Sequence, residues 1–249
     1  MNIVTRIFRF GLVNILFAQQ YIDVQDNYTK YVYQLNSAIA IVSFILIFLI
    51  AYLLGSLNFA MLISKRKFNE DIREHGSGNA GMTNMMRTYG KKAAGLTLLG
   101  DALKAVTAIL IGYLLMGPDG AYIAGIGSII GHTWPLYYNF KGGKGVVTAL
   151  MMILCTNFWV GLILLGLFIC IVAMTKYISL GSIIGALMYP VILYNFNGMN
   201  SVIKLICSFL VVILLVYNHR SNIKRLYEGK ENKFSFKKKS NSEQQMKED

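Results

Sequence analysis

The chain has 249 residues, 55% of them hydrophobic and only 14% charged, and a net charge of +12. A soluble domain carries about a quarter charged residues, so this composition, with a mean hydropathy of +0.51, excludes an ordinary soluble fold and points to a membrane protein. The positive charge does not call for nucleic acid, because Lys and Arg gather in Lys65–Lys92 and after His219, between long apolar runs.

In chain order, Met1–Gln20 sets Arg6 and Arg9 among Ile3, Ile7, Phe10, Val13 and Phe17, the pattern of an amphipathic helix lying at the interface. A cleaved signal peptide is the other reading, although bulky Leu16 suits a small-residue cleavage site near Ala18 poorly. Residues 1–37 are treated as an N-terminal extension. Apolar runs follow at 38–63, 93–115, 119–137, 146–174, 178–196 and 200–218. A helix over 146–174 would be about 43 Å long, too long for a single crossing of about 30 Å. The polar pair Thr156-Asn157 suits a turn and divides the run into 146–155 and 158–174.

Parity decides between one crossing and two. With one, basic loop 64–92 would oppose a tail that holds nine Lys or Arg after His219. With two, loops 64–92, 132–145 and 175–178 share a face with that tail, while turns 116–118 and 196–199 carry no Lys or Arg. The positive-inside bias therefore predicts an all-α integral membrane protein of seven transmembrane helices. Its fourth helix is short, its N-terminus external and its basic loops cytoplasmic. Residues 38–234 form this domain, and 235–249 read as a disordered basic and polar tail. Cys155, Cys170 and Cys207 lie in apolar runs without metal or disulfide spacing, and read as buried structural thiols.

Four polar segments fall on the basic face. In the first, 72–92, Gly76, Gly78 and Gly81 satisfy G-x-G-x-x-G but lack the strand a dinucleotide site requires. What remains is a flexible backbone able to form an anion nest, the neutral donors Ser77, Asn79, Thr83 and Asn84, and Arg87, whose fork suits phosphate. In the second, 131–148, Lys141-Gly142-Gly143-Lys144-Gly145 lacks the upstream Gly and the Ser or Thr of a Walker loop. Two lysines around a Gly pair at a helix start still suit phosphate. Trp134 and Tyr137 suit the interface, and His132 reads as ligand contact or as cap. In the third, Ser179 and Ser182 share a helix face, which by itself is an N-cap signal. In the fourth, His219 and Asn222 share a face of a helix leaving the membrane, with Arg225 and Glu231 beyond. Inside the second span, Asp101 and Lys104 stand i,i+3, placed equally for a local ion pair and for function.

Together these segments resemble the acyl-phosphate:glycerol-3-phosphate acyltransferases of bacterial phospholipid synthesis. The matching stretches are GSLNFAMLISK with DIREHGSGNAGMTNMMRTYGKK, then DALKA, GHTWPLYYNFKGGKGVVTAL, KYISLGSI and HRSNIKRLYEGKENKF. The resemblance implies transfer of an acyl group from acyl-phosphate to the 1-hydroxyl of sn-glycerol 3-phosphate, giving lysophosphatidic acid and phosphate. It also implies seven helices with an external N-terminus, in a multi-pass protein of the bacterial plasma membrane with a cytoplasmic active site. Ser77, Arg87, Lys144, His219 and Asn222 take the catalytic positions. Gly76, Gly78, Asn79, Thr83, Asn84, Lys141, Gly142, Gly143 and Ser182 take the substrate-binding ones. Met82, Gly181 and Ala105 replace the usual Ala, Ala and Gly, and Met82 is expected to narrow the first loop. No metal or cofactor is expected; the partners are acyl-phosphate, glycerol 3-phosphate and membrane lipid, and the protein is read as a monomer. No histidine is followed four or five residues on by Asp, which weighs against the acyl-CoA class of glycerolipid acyltransferase. The base is either His219 or the substrate's own phosphate. The rival reading is a small phosphate or anion transporter, whose binding site would sit near the midplane. A scaffold without activity is a third.

Overall fold

The computed structural model describes residues 11–17, 19–25, 28–34, 36–197 and 201–234. The predicted disordered tail and the first ten residues of the predicted amphipathic helix lie outside that set. Helix α1, Leu12–Phe17, is followed by an antiparallel hairpin, β1 (Gln19–Gln25) and β2 (Tyr28–Gln34), which pairs Gln19 with Gln34. This hairpin departs from the all-α expectation, and it lies in the extension. From Ser37 to Phe234 the described residues form an all-helical membrane protein.

The first apolar run does not form one helix over 38–63. Helix α2 ends at Gly55, and the chain restarts as α3 (Phe59–Ile63), continued by a wider turn through Phe68. The break is stable inside the bundle because its polar groups find partners. The Asn58 carboxamide accepts from the Met61 amide at 3.1 Å and donates to Ala80 O at 3.2 Å. Lys104 Nζ donates to the freed Leu57 carbonyl at 2.6 Å. Helix α4, Met82–Tyr89, then leads through Gly90 into the helical stretch Lys91–Thr133.

That stretch is apolar enough for a span but doubles back on itself. Met116 and Gly117 leave helical geometry, with Gly117 at φ 65°, and Pro118 starts the return limb. The two limbs, 91–115 (α5) and 118–133 (α6), pack backbone to backbone: a Cβ added at Gly120 would lie 2.1 Å from the Gly112 carbonyl oxygen. Such close crossing through small residues is the usual currency of helix association in lipid. Against α1, Gly11 meets the backbone of 115–117, so the extension abuts this turn.

The long fourth run breaks at Asn157, as Thr156-Asn157 foretold, giving α7 (Val146–Thr156) and α8 (Phe158–Thr175). The buried turn is satisfied internally: Asn157 N donates to Ile153 O at 2.7 Å, and the Asn157 carboxamide bonds the Tyr122 hydroxyl. Helices α9 (Ile178–Asn197), α10 (Val202–Asn218) and α11 (Arg220–Tyr227) complete the described chain, α10 and α11 meeting at a bend of 58°. The interior packs larger side chains such as Ile109, Met152, Tyr189 and Val211 with small ones, Ala105, Ala121 and Ala149, where helices approach closely. Leu and Ile on α2 and α5 face outward, as expected where lipid replaces water. Cys155 and Cys170 are exposed on this outer surface and only Cys207 is buried, because α8 and the end of α7 turn their sulfur-bearing faces away from the bundle.

Gly120→Val is expected to force α5 and α6 apart and to cost about 1–3 kcal/mol, the usual range for overpacking. A lowered thermal midpoint in detergent reads this directly, with Gly166→Ala, which points into open space, unchanged.

Candidate active site

The first polar segment is wound around one buried side chain. Asn84 Oδ1 accepts from the Ser77 amide at 2.9 Å, and Asn84 Nδ2 donates to Ile72 O at 3.1 Å and His75 O at 2.9 Å. Gly76 turns the chain over this carboxamide at φ 60°. Arg73 ties the segment to the second one, donating to Tyr138 O at 2.9 Å and Lys141 O at 3.2 Å while Asp71 holds its other face. The hydrogen bond from Arg73 keeps the Asp71 carboxyl below its ordinary range.

The Gly142-Gly143 pair is required by proximity. A Cβ at Gly142 would lie 2.1 Å from His132 O, and one at Gly143 would lie 2.1 Å from His132 Nε2 and 2.8 Å from Ala80 O. Glycine thus lets the second segment touch the first. The amides of the pair are not free for an anion: Gly142 N donates to Thr133 O and Gly143 N to His132 O, both at 3.0 Å. Anion-facing donors must come instead from Lys144 and from the start of α7, whose first-turn amides have no intrahelical acceptor.

The third and fourth segments meet at Glu231. Its carboxylate accepts from Asn222 Nδ2 at 2.8 Å, Ser179 Oγ at 3.0 Å and Arg225 Nε at 2.8 Å. The other end of the Asn222 carboxamide accepts from Lys144 Nζ. Phe234 N donates to Lys176 O at 2.7 Å, laying the chain beyond α11 across the start of α9. Burial pushes the Glu231 carboxyl up, but the hydrogen bonds from Asn222, Arg225 and Ser179 hold it below its ordinary value.

These segments enclose one cavity of about 1020 Å³ at one end of the bundle. Its polar mouth carries Ser77, Arg87, Lys144, His219, Asn222 and Glu231; its inner wall carries Val147, Leu150, Met151, Leu165, Phe168 and Leu215. Burial lowers the Arg87 guanidinium pKa and brings the Lys144 ammonium down to about 8, with Glu231 opposing the shift and neighbouring cations adding to it. His219 is buried at the bend between α10 and α11, and burial, with Lys144 nearby, lowers its pKa to about 4. His219 Nδ1 lies 2.7 Å from Leu215 O. A carbonyl only accepts, so Nδ1 carries the proton and Nε2 is bare.

Ser77, Gly78, Asn79, Thr83, Asn84, Arg87, Lys141, Gly142, Gly143, Lys144, Ser182, His219 and Asn222 all line this cavity. Gly76 stands behind it as a turn residue, and Met82 lines it. Ser182 spends its hydroxyl proton on Ile178 O at 2.9 Å, so toward the cavity it offers a lone pair. Sequence reasoning left Glu231, Arg225, Ser179 and Asn218 without roles. Asn218 Nδ2 joins Thr133 Oγ1 at 3.2 Å to Lys144 O at 3.3 Å. An acid among the cations of the fourth segment, which holds only Glu228 and Glu231, was the available signal for Glu231.

Residues 45–229 match the family described as Glycerol-3-phosphate acyltransferase. A glycerol-3-phosphate acyltransferase of Thermoanaerobacter sp. (strain X514) is 44% identical over 189 residues, covering 76% of this chain and 94% of the relative. One of Clostridioides difficile (strain 630) is 43% identical over 204 residues, covering 80% and 98%. The crystal structure of PlsY, an integral membrane glycerol 3-phosphate acyltransferase, in its glycerol 3-phosphate form superposes with TM-score 0.73 at 35% identity, covering 78% of this chain and 96% of that one. Its lysophosphatidic acid form gives 0.70 at 34% identity, with the same coverage.

A phosphate ligand should bind with near-constant affinity between about pH 7 and pH 8, where it is a dianion and Lys144 is charged, and progressively more weakly above about pH 8, as Lys144 loses its proton. Glu231→Gln removes the charge that holds the Lys144 proton on, so the same decline should begin at lower pH. Titration of glycerol 3-phosphate by calorimetry across this range checks both.

Proposed function

The chain belongs to the glycerol-3-phosphate acyltransferase family, and on that premise we propose that it transfers an acyl group from acyl-phosphate to the 1-hydroxyl of sn-glycerol 3-phosphate, releasing lysophosphatidic acid and phosphate. The observation that carries this reading is a cavity that joins a cationic mouth to an apolar inner wall. Acyl-phosphate is amphipathic in the same sense, with an anionic phosphate at one end and a hydrocarbon chain at the other.

In this mechanism Arg87 and Lys144 hold the two phosphates, and the chain lies along Val147, Leu150 and Phe168. The 1-hydroxyl oxygen bonds to the acyl carbon, the bond from that carbon to the phosphate oxygen breaks, and phosphate leaves. The Ser77 hydroxyl, exposed at the mouth, and the start of α7 are positioned to stabilise the tetrahedral oxyanion. The hydroxyl proton has two possible acceptors. A phosphate group has a second pKa of about 6, whereas the imidazole of His219 sits near 4. The leaving phosphate is the stronger base and takes the proton. The bare Nε2 of His219 accepts a hydrogen bond from the neighbouring 2-hydroxyl of glycerol 3-phosphate, which orients the attacking 1-hydroxyl, with Asn222 beside it.

The chain is proposed to cross the bacterial plasma membrane seven times with this mouth on the cytoplasmic side. The two basic clusters, in 64–92 and after His219, both border the mouth, while the turn at 116–118 carries no Lys or Arg. Ser77, Arg87, Lys144, His219 and Asn222, drawn from three separate segments, converge within one chain, and the protein is proposed to act as a monomer.

Purified protein given palmitoyl-phosphate and labelled glycerol 3-phosphate is expected to form lysophosphatidic acid, and none with acyl-CoA or acyl-carrier protein. Anion uptake into proteoliposomes with no product from any donor would instead support a transporter. Lys144→Met should cost about 10- to 150-fold in kcat/KM, the value of a hydrogen bond from a charged group. His219→Gln should slow turnover yet leave the pH–rate profile without a lost limb near neutrality; disappearance of such a limb would make His219 the base.

A further inference from the structure

Asp101, Lys104 and His132 form a buried cluster directly beneath the Gly142-Gly143 loop; they are 2%, 5% and 5% exposed. Lys104 Nζ has three neighbours: Leu57 O at 2.6 Å, Asp101 Oδ1 at 2.8 Å and His132 Nδ1 at 3.0 Å. An ammonium group has three protons to donate. The carbonyl and the carboxylate accept two of them, and the third points at Nδ1. Asp101 Oδ1 lies 3.5 Å from Nδ1, too far for a good hydrogen bond, whereas a protonated Nδ1 would set two donors face to face at the 3.0 Å from Lys104, so Nδ1 is the bare nitrogen of a neutral ring. The ring proton is therefore on Nε2.

The Nε2 edge faces the site. It lies against Gly143 closely enough that no side chain fits there, His132 lines the cavity, and Nε2 has no hydrogen-bond partner among the described residues. The glycine amides beside it are already spent on Thr133 O and His132 O. The loop that most resembles a phosphate site is thus short of donors, and one side-chain donor points at it.

We propose that His132 is a further substrate-binding residue whose neutral ring, set in one tautomer by Lys104, donates Nε2–H to a phosphate oxygen seated at the Gly142-Gly143 loop. Asp101 and Lys104 act through it as positioning residues. A neutral donor adds a hydrogen bond without adding a cation beside Arg87, Lys144 and Arg225. The proposal rests on the acyltransferase reading only for whose phosphate this is, that of acyl-phosphate or that of glycerol 3-phosphate.

The test uses the full chain, labelled with 15N-histidine, in detergent. The chain has three histidines, and His75→Gln and His219→Gln assign their signals. His132 is expected protonated on Nε2 and bare on Nδ1, the reverse of His219, and its Nε2–H signal should move when glycerol 3-phosphate or inorganic phosphate is added. Lys104→Met should abolish the single-tautomer pattern. Kinetically, His132→Phe should raise KM about 10-fold or more for one substrate with little change in kcat, as loss of a ground-state contact does. The substrate affected identifies the phosphate, and His132→Gln, which can place an amide N–H near Nε2, should recover most of the loss. The thermal midpoint of each variant shows that it is folded. A proton on Nδ1, a signal indifferent to phosphate, or a folded His132→Phe with both KM values unchanged would overturn the proposal. Failure of the wild type to make lysophosphatidic acid would sink the acyltransferase reading alone, because the tautomer and the phosphate-induced shift are read without turnover.

Discussion

Three cations stand at the edge of the hydrocarbon, and among the described residues the Glu231 carboxylate is the acid they share. Arg87, Lys144 and Arg225 each disfavour the protonated state of a neighbour, and Glu231 works against them. That carboxylate bonds Arg225 directly and reaches Lys144 through the Asn222 carboxamide. Charges taken out of water are tolerated only when paired and hydrogen-bonded, so the site stays assembled because the stretch Glu231–Phe234 lies over it. The same arrangement leaves positive charge in excess, which suits the phosphate ligand proposed for it.

A second polar knot supports the first from below. Lys104 catches the carbonyl freed where the first apolar helix breaks, and Asp101 and His132 enclose the ammonium. His132 O also anchors the glycine loop. The break in the first helix, the crossing of α5 with α6 and the path of the loop are therefore coupled, and the ion pair within the second span has a structural office. Groups so costly to bury persist in membrane helices when each finds a partner.

Much of this was legible in the chain, for reasons that are physical. Apolar run length and the Thr156-Asn157 pair located the helices to within a few residues, because lipid permits little else than satisfied helix. Most residues that line the mouth were legible because glycine, hydroxyl and guanidinium chemistry is rare among apolar runs. The break at 56–58 was not legible: Leu57 and Phe59 are apolar, and the residue that stabilises their exposed backbone, Lys104, lies on another helix. Glu231 was hidden for the same reason. Its partners Ser179, Asn222 and Arg225 are brought to it by tertiary structure, and its own neighbours in sequence read as a solvated basic helix. The hairpin at 19–34 lies in the extension, outside the stretch that the family resemblance covers.

The central claim is that one cavity binds both halves of an amphipathic phosphate substrate. An experimental structure with a non-hydrolysable acyl-phosphonate tests it most directly. The phosphonate should sit between Arg87 and Lys144 against the Gly142-Gly143 loop, with the chain running along Val147, Leu150 and Phe168. A phosphonate bound at the opposite end of the bundle, near the 116–117 turn, or a chain lying outside that apolar wall, would contradict it.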